Sequence, residues 1–217
     1  MIEEYLNKVI CADSLEFMKK LPDKCIDLVL THPPYNAKNI GPNSRVYEGQ
    51  MMQLPLKEYK KFCKDWITEA LRVSKRLVFT PGIANICFYP QPRWILCWHK
   101  PAAVSFNRFG GFNTWEPICV YGKIPKGKRL GQDYLLFNTM NFGKGPEKEH
   151  PCPKPLDLMK FLVDKFSLED ELVFDPFSGS GTTLVASKQL GRKYFGTDII
   201  ESYCKIANDR LRQEILL

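Results

Sequence analysis

ELVFDPFSGSGTTLVASKQLGRKYFGTDI, residues 171–199, decides the fold. A β-branched and aromatic run ends at Asp175, a Gly/Ser turn follows, and a helix is predicted over Thr182–Leu190. A Gly-Arg-Lys turn then leads to a second strand that ends in another acid, Asp198. Strand, glycine-rich turn, helix and strand together make the first βαβ unit of a nucleotide-binding α/β fold. Gly179 and Gly181 allow a tight turn and a close approach of backbone to ligand. The turn lacks the G-x-G-x-x-G spacing of dinucleotide sites and the Gly-Lys-Ser/Thr of a P-loop. A short loop with an acid at its start suits instead a ligand without phosphate that carries a cationic amino-acid end. Asp175 would face that end, and Asp198 sits where an acid can accept from both ribose hydroxyls.

Outward from this unit, short β-rich runs alternate with amphipathic stretches, so a mostly parallel sheet covered by helices is predicted. The other strand candidates are Lys8–Cys11, Ile26–Thr31, Arg76–Thr80, Arg93–Trp98, Trp115–Tyr121 and Tyr134–Phe137, beside Glu171–Phe174 and Tyr194–Thr197 of the βαβ unit. The clearest helix is Leu56–Ser74, where Tyr59, Phe62, Cys63, Trp66, Ile67 and Ala70 recur at helical spacing. Further helices are predicted at Leu156–Phe166 and Glu201–Glu214. Residues 36–55 and 122–153 interrupt the alternation as long loops, and loops of this length in a compact domain are functional or mobile. Trp94, Trp98 and Trp115 lie in strand runs and are expected to pack.

A second strand stops abruptly. In CIDLVLTHPPYN, residues 25–36, two prolines and an aromatic follow an apolar run. Pro33 and Pro34 cannot donate to a sheet and fix φ. The segment leaves the carboxyl end of its strand, where open α/β sheets place ligands. An amino group on a nucleobase is a poor nucleophile because its lone pair is delocalised into the ring. Two acceptors on its hydrogens favour a more pyramidal nitrogen and free that pair. The Pro33 carbonyl and the His32 side chain are the candidate acceptors, and Tyr35 would stack on a base swung out of its duplex. Asn36 either orients this tetrapeptide or caps the turn.

Composition sets outer bounds. The 217 residues fit one α/β domain, with the charge balance of an ordinary globular protein. No apolar run is long enough for a membrane span, and the acidic, mixed first residues predict no secretory signal. A formal charge of +7 suits a polyanionic partner. The eight cysteines are scattered without C-x-x-C or a spaced His pair, so buried reduced thiols in a cytoplasmic protein are expected, and no metal.

Together the two segments resemble the amino-group DNA methyltransferases, which modify the amino nitrogen of adenine or cytosine. THPPYN and FDPFSGSGTT match that family's catalytic tetrapeptide and cofactor loop. HPCPKPLDLMKFLVDKF, residues 150–166, resembles its cofactor-flanking helix. CADSLEFMKKLPDKCIDLVLT and WEPICVYGK are also similar to family sequence. With the catalytic motif first and the cofactor loop last, the order is that of the class called β. The resemblance implies a seven-stranded, mostly parallel sheet with one antiparallel strand and helices on both faces, within a single methyltransferase domain over 1–217. It implies direct methyl transfer from S-adenosylmethionine, without metal, to an exocyclic amino group, with adenine favoured over cytosine. The implied catalytic residues are His32, Pro33, Pro34 and Tyr35. Asp13, Lys154, Asp175, Phe177, Ser178, Gly179, Ser180, Gly181, Thr182 and Asp198 would surround the cofactor. Lys154 with Pro155 could equally start a helix, and Phe177 could equally be core.

Two departures from the family stand out. His32 occupies a position usually held by Asp, Asn or Ser. A neutral imidazole accepts one hydrogen bond, whereas an imidazolium accepts none. The expectation is an active enzyme using neutral His32, its rival a weakened or inactive homologue that still binds cofactor and DNA. The chain is also short for the family, so target recognition falls to loops 36–55 and 122–153. There Asn36, Lys123, Lys126, Lys128 and Arg129, with Lys144 and Lys148, are the candidate DNA contacts. DNA is the expected partner, no membrane is, and a homodimer and a cognate restriction endonuclease complete the partner expectations.

Overall fold

The computed structural model describes residues 2–36, 51–52, 54–101, 110–138 and 154–213. His150, Lys144, Lys148 and Cys152 lie outside them.

Continuous apolar runs bury both faces of the central strands, as a parallel sheet under helices requires. The strands and helices, in chain order, are β1 (Val9–Cys11), α1 (Ser14–Lys19), β2 (Ile26–Thr31), β3 (Tyr35–Asn36), β4 (Met51–Met52), α2 (Leu56–Val73), β5 (Ser74–Phe79), β6 (Trp94–His99), β7 (Trp115–Tyr121), β8 (Tyr134–Leu136), α3 (Leu156–Phe166), β9 (Leu172–Asp175), α4 (Thr182–Gln189), β10 (Lys193–Asp198) and α5 (Glu201–Arg212). Eight of the strands form one sheet in the order β1-β10-β9-β2-β5-β7-β6-β8. β7 runs antiparallel to both β5 and β6, whereas the other pairings are parallel. The single reversed strand matches the expectation, but among the described residues the sheet has eight strands and not seven. All eight had been visible as apolar runs.

α1 and α2 cover one face, where Phe17 and Met18 meet Tyr59, Cys63, Trp66 and Ile67. α3 covers the other face through Leu158, Leu162, Val163 and Phe166. α4 and α5 extend that layer over β1 and β10. The buried stripe of α2 is the one its spacing predicts, except that Phe62 stays partly open. Helix α1 was not foreseen: its six residues are too few to show a period, and Asp13 caps it by accepting from the Glu16 amide at 2.9 Å. Of the tryptophans expected to pack, only Trp98 is buried. Trp94 and Trp115 are 58% and 38% exposed, each at the first residue of its strand. The thiols are also not uniformly buried, since Cys11 and Cys87 are exposed.

The connections locate a crevice. From β2 the chain crosses to β5, and from β9 it crosses to β10, on opposite sides of the adjacent β2/β9 pair. Crossovers that diverge from neighbouring strands leave a gap above their carboxyl ends, which is where open α/β sheets bind ligands.

Candidate active site

The two sequence segments singled out above emerge from this divergence point. Thr31, at the tip of β2, donates its hydroxyl to Asp175 Oδ1 at the tip of β9, at 2.5 Å and buried. The Phe177 amide donates to the same oxygen at 3.1 Å. Burial pushes the Asp175 carboxyl up to about 6, although bonds from Thr31, Thr183 and the Phe177 amide pull the other way. Asp198, at the tip of β10, accepts from the Gly179 amide at 2.8 Å and the Ile200 amide at 3.0 Å. Burial raises its carboxyl too. The loop amides of Phe177 and Gly179 therefore bond the chain's own acids instead of forming an anion nest. This donor set fits a ligand that brings an ammonium and hydroxyls and no phosphate.

The three strand ends are tied together by hydroxyls. Ser14 donates to the Pro176 carbonyl, and Thr197 reaches both Ser14 Oγ at 3.2 Å and Pro176 O at 3.0 Å. Sequence reading missed Ser14, Thr31, Thr183 and Thr197. Most of their partners lie far away in the chain, and a lone hydroxyl residue beside a strand end carries no signal of its own.

Several expected cofactor contacts turn into the fold. Ser178 Oγ donates to the Thr197 carbonyl at 3.0 Å, and Arg210 of α5 donates to Ser180 O at 2.5 Å and Thr182 Oγ1 at 3.3 Å. Gly181 has φ +79°, and a Cβ there would come within 2.9 Å of Ala207 Cβ. Its freedom lets α4 start against α5, so the close approach it allows is to a helix. The Phe177 ring packs edge-on against Trp66 at 5.6 Å and beside Phe62 at 6.0 Å, on the α2 side. Asp13 is exposed beside the β1/β10 tips, where Ala12 donates to the Asp198 carbonyl at 2.9 Å.

On the other side of the crevice, His32 Nδ1 lies in hydrogen-bond contact with the Thr80 hydroxyl at the end of β5. The Tyr35 hydroxyl is 3.4 Å from the same nitrogen and donates to Thr80 O at 3.4 Å. The two rings meet edge to face at 4.7 Å. Gly82, at φ +72°, lets the backbone approach the Tyr35 ring; a Cβ there would be 3.0 Å from Tyr35 Cζ. Tyr59 donates to the Pro34 carbonyl at 3.2 Å, which fixes the turn.

Three placements correct the sequence reading. Asn36 uses its whole amide on the backbone of Leu54, donating to its carbonyl at 2.9 Å and accepting from its amide at 3.0 Å. With the β3/β4 pairing, this clamp joins the two ends of the stretch expected as a loop over 36–55, so the Asn36 side chain serves the backbone there. Lys123, Lys126, Lys128 and Arg129 follow β7, and the reversal of that strand carries them to the opposite edge of the sheet from His32 and Asp175. There Gly122 lies against Lys75 and Arg76 at the start of β5, and Lys128 pairs with Asp164 at 2.6 Å. Lys154 lies over the Trp98 ring at 5.8 Å and acts on Glu116, on the His32 side of the crevice and not at the glycine loop. Pro155 is the N-cap of α3, the helix-start role. Among the described residues, no group of His, Cys, Asp and Glu side chains could hold a metal ion.

The DNA methylase family of N6/N4 enzymes matches residues 91–209, more than half of the chain. The chain belongs to the amino-group DNA methylases. This methylase therefore transfers a methyl group from S-adenosylmethionine to the exocyclic amino group of a DNA base, N6 of adenine or N4 of cytosine. It is 28% identical to the type II methyltransferase M.HinfI of Haemophilus influenzae, over 98% of this chain and 70% of that one. It is 27% identical to M2.DpnII of Streptococcus pneumoniae, over 99% and 94%. In structure it is similar to the PvuII DNA methyltransferase, described as cytosine-N4-specific, with a TM-score of 0.74 over 96% of this chain and 87% of that one at 17% identity. It also shares its fold with M1.HpyAVI in complex with SAM, with a TM-score of 0.69, 22% identity, and coverage of 95% and 99%.

Proposed function

We propose that the methylase performs its reaction in the crevice between the His32 tetrapeptide and the Asp175 loop, on an extruded adenine. The observation that carries this reading is the Thr31–Asp175 hydrogen bond, which joins the two loops at their roots. The methyl donor, when bound, supplies an electrophilic carbon on a sulfonium. Asp175 would hold its ammonium and Asp198 its ribose hydroxyls, with Asp13 beside the adenine ring.

His32 and the Pro33 carbonyl would accept from the amino hydrogens, and Tyr35 would present its ring to the base. The contact of His32 Nδ1 with Thr80 supports a working histidine, because it fixes the ring as a fixed acceptor must be fixed. The HPPYN sequence supports adenine. The reaction needs no metal in this scheme: positioning and acceptor placement carry it. Water is kept from the crevice floor by the buried Thr31–Asp175 contact and the aromatic wall of Phe177, Trp66 and Phe62.

The reading extends to one catalytic domain in the cytoplasm. Among the described residues, no helix is long and apolar enough to cross a membrane. It includes a homodimer, tested by sedimentation, and a cognate restriction endonuclease, which the type II names of the relatives support. Mass spectrometry of nucleosides from DNA treated with protein and methyl donor tests the base: N6-methyladenine is expected, and N4-methylcytosine alone would replace adenine with cytosine.

A further inference from the structure

A buried charge cluster lies at the same end of the sheet as the tetrapeptide. Glu116, second residue of β7, pairs with Lys100 at 2.5 Å, and their side chains are 13% and 8% exposed. Lys100 and Lys154 both lie over the Trp98 ring, at 5.4 and 5.8 Å. Because β7 is reversed, its first residues stand at the same sheet edge as the ends of β2, β5 and β6. Thr80, which touches His32, directly follows β5, the neighbour of β7. Glu116 Oε2 is buried and has no hydrogen-bond partner. Burial alone would push the Glu116 carboxyl up, but the charges of Lys154, His32 and Lys100, in that order, hold it at about 2.

A buried carboxylate with an idle oxygen between two lysines and a histidine is costly unless it answers a positive charge. Lys100 takes one oxygen; the other is left over at the end of the sheet where Thr80, beyond the neighbouring strand β5, touches His32. We propose that Glu116 is the counter-charge of His32, steadying the imidazolium that forms when His32 receives the proton released by the methylated amino group. Glu116 is a positioning residue, since it acts through His32.

The proposal rests on the methyl-transfer reading above. In that reaction the amino lone pair forms the N–C bond while the C–S bond breaks and leaves its electron pair on sulfur. The nitrogen then carries a surplus proton. His32, held by Thr80 at Nδ1, takes it on its second ring nitrogen and later returns it to water. Glu116 favours the charged ring, Lys100 and Lys154 oppose it, and Thr80 and Tyr35 are neutral neighbours. The cluster thus sets how readily His32 accepts and releases the proton.

Histidine NMR titration of the full chain tests this without any turnover. Only three histidines are present, and His32 is assigned by its loss in His32→Gln. Glu116→Gln should lower the His32 midpoint by about one pH unit, because two lysines remain unopposed. Glu116→Asp should keep it near the wild-type value, and Lys154→Met should raise it. If Glu116→Gln does not fold, Lys100→Met/Glu116→Gln removes the whole pair, and adding Lys154→Met to that double variant should then raise the His32 midpoint. A His32 midpoint that stays put or rises in Glu116→Gln, or that ignores Lys154→Met in the double variant, overturns the proposal. A shifted midpoint in a protein that transfers no methyl group would uphold the pairing and overturn only the reaction assigned to the crevice.

Discussion

The Thr31 hydroxyl donates to Asp175 Oδ1 at 2.5 Å across the one seam where crossovers leave the sheet in opposite directions. Residues 144 apart in the chain thereby lock the root of the His32 tetrapeptide to the root of the glycine loop. The arrangement of acceptors on one side and acids on the other depends on that bond.

Removing it while keeping the shape isolates its contribution. Thr31→Val leaves a fully buried carboxyl one donor short, which costs about 1–3 kcal/mol. Urea unfolding should show that loss with an unchanged slope, and calorimetry should show weaker binding of S-adenosylmethionine. Equal stability would mean that the hydroxyl is idle.

Asp175 predicts a pH signature with a definite sign. Its folded value of about 6 lies above the roughly 3.9 of an unfolded Asp. Between these values the native state alone holds the proton. The stability it contributes is therefore full below about pH 4 and lost as pH rises through 6, roughly 2–3 kcal/mol in all. Asp175→Asn keeps an acceptor for Thr31 without the charge. It should flatten this slope and be more stable than wild type at pH 7.5 without ligand. Affinity for the cationic donor should fall at least tenfold. In the wild type that affinity should drop as pH falls below 6, because a neutral acid no longer attracts an ammonium.

The Lys100–Glu116 pair should be costly to halve and cheap to delete. Lys100→Met leaves a buried carboxylate against fewer cations and should lose about 3–5 kcal/mol. Lys100→Met/Glu116→Gln should recover most of it in chemical denaturation. Additive losses in the double variant would show that the two side chains do not depend on each other.

DNA binding should ignore the basic segment after β7. Each phosphate contact contributes about 0.9 to the slope of log affinity against log salt. Replacing Lys123, Lys126 and Arg129 by Ala should leave that slope within error, because the reversed strand sets them on the far edge. A slope reduced by the value of two or three contacts would restore them to the interface.

The β-rich runs and the two strand-tip motifs were legible because each is written in contiguous residues: an apolar run, a Gly/Ser turn, a Pro-Pro stop. Strand direction was not. WEPICVY is equally apolar read either way, so nothing in it told that β7 is reversed or that Lys126 and Glu116 end up at opposite edges. Glu116 is a single acid near the start of an apolar run, and only the fold brings Lys100 and Lys154 to it. From sequence alone Asn36 reads as an orienting residue, a turn cap or a DNA contact. The choice depended on Leu54, which no local pattern links to it. The acids Asp175 and Asp198 were placed correctly at strand tips, yet their bonds to loop amides became visible only with coordinates.

The most direct test of the central claim joins chemistry to place. The full chain is incubated with DNA and methyl-labelled S-adenosylmethionine, and the digested nucleosides are analysed by mass spectrometry for wild type and His32→Ala. The account predicts label on an exocyclic amino nitrogen with wild type, and at least a tenfold loss with His32→Ala while the methyl donor still binds. Label elsewhere on the base, or an undiminished yield from His32→Ala, would contradict it.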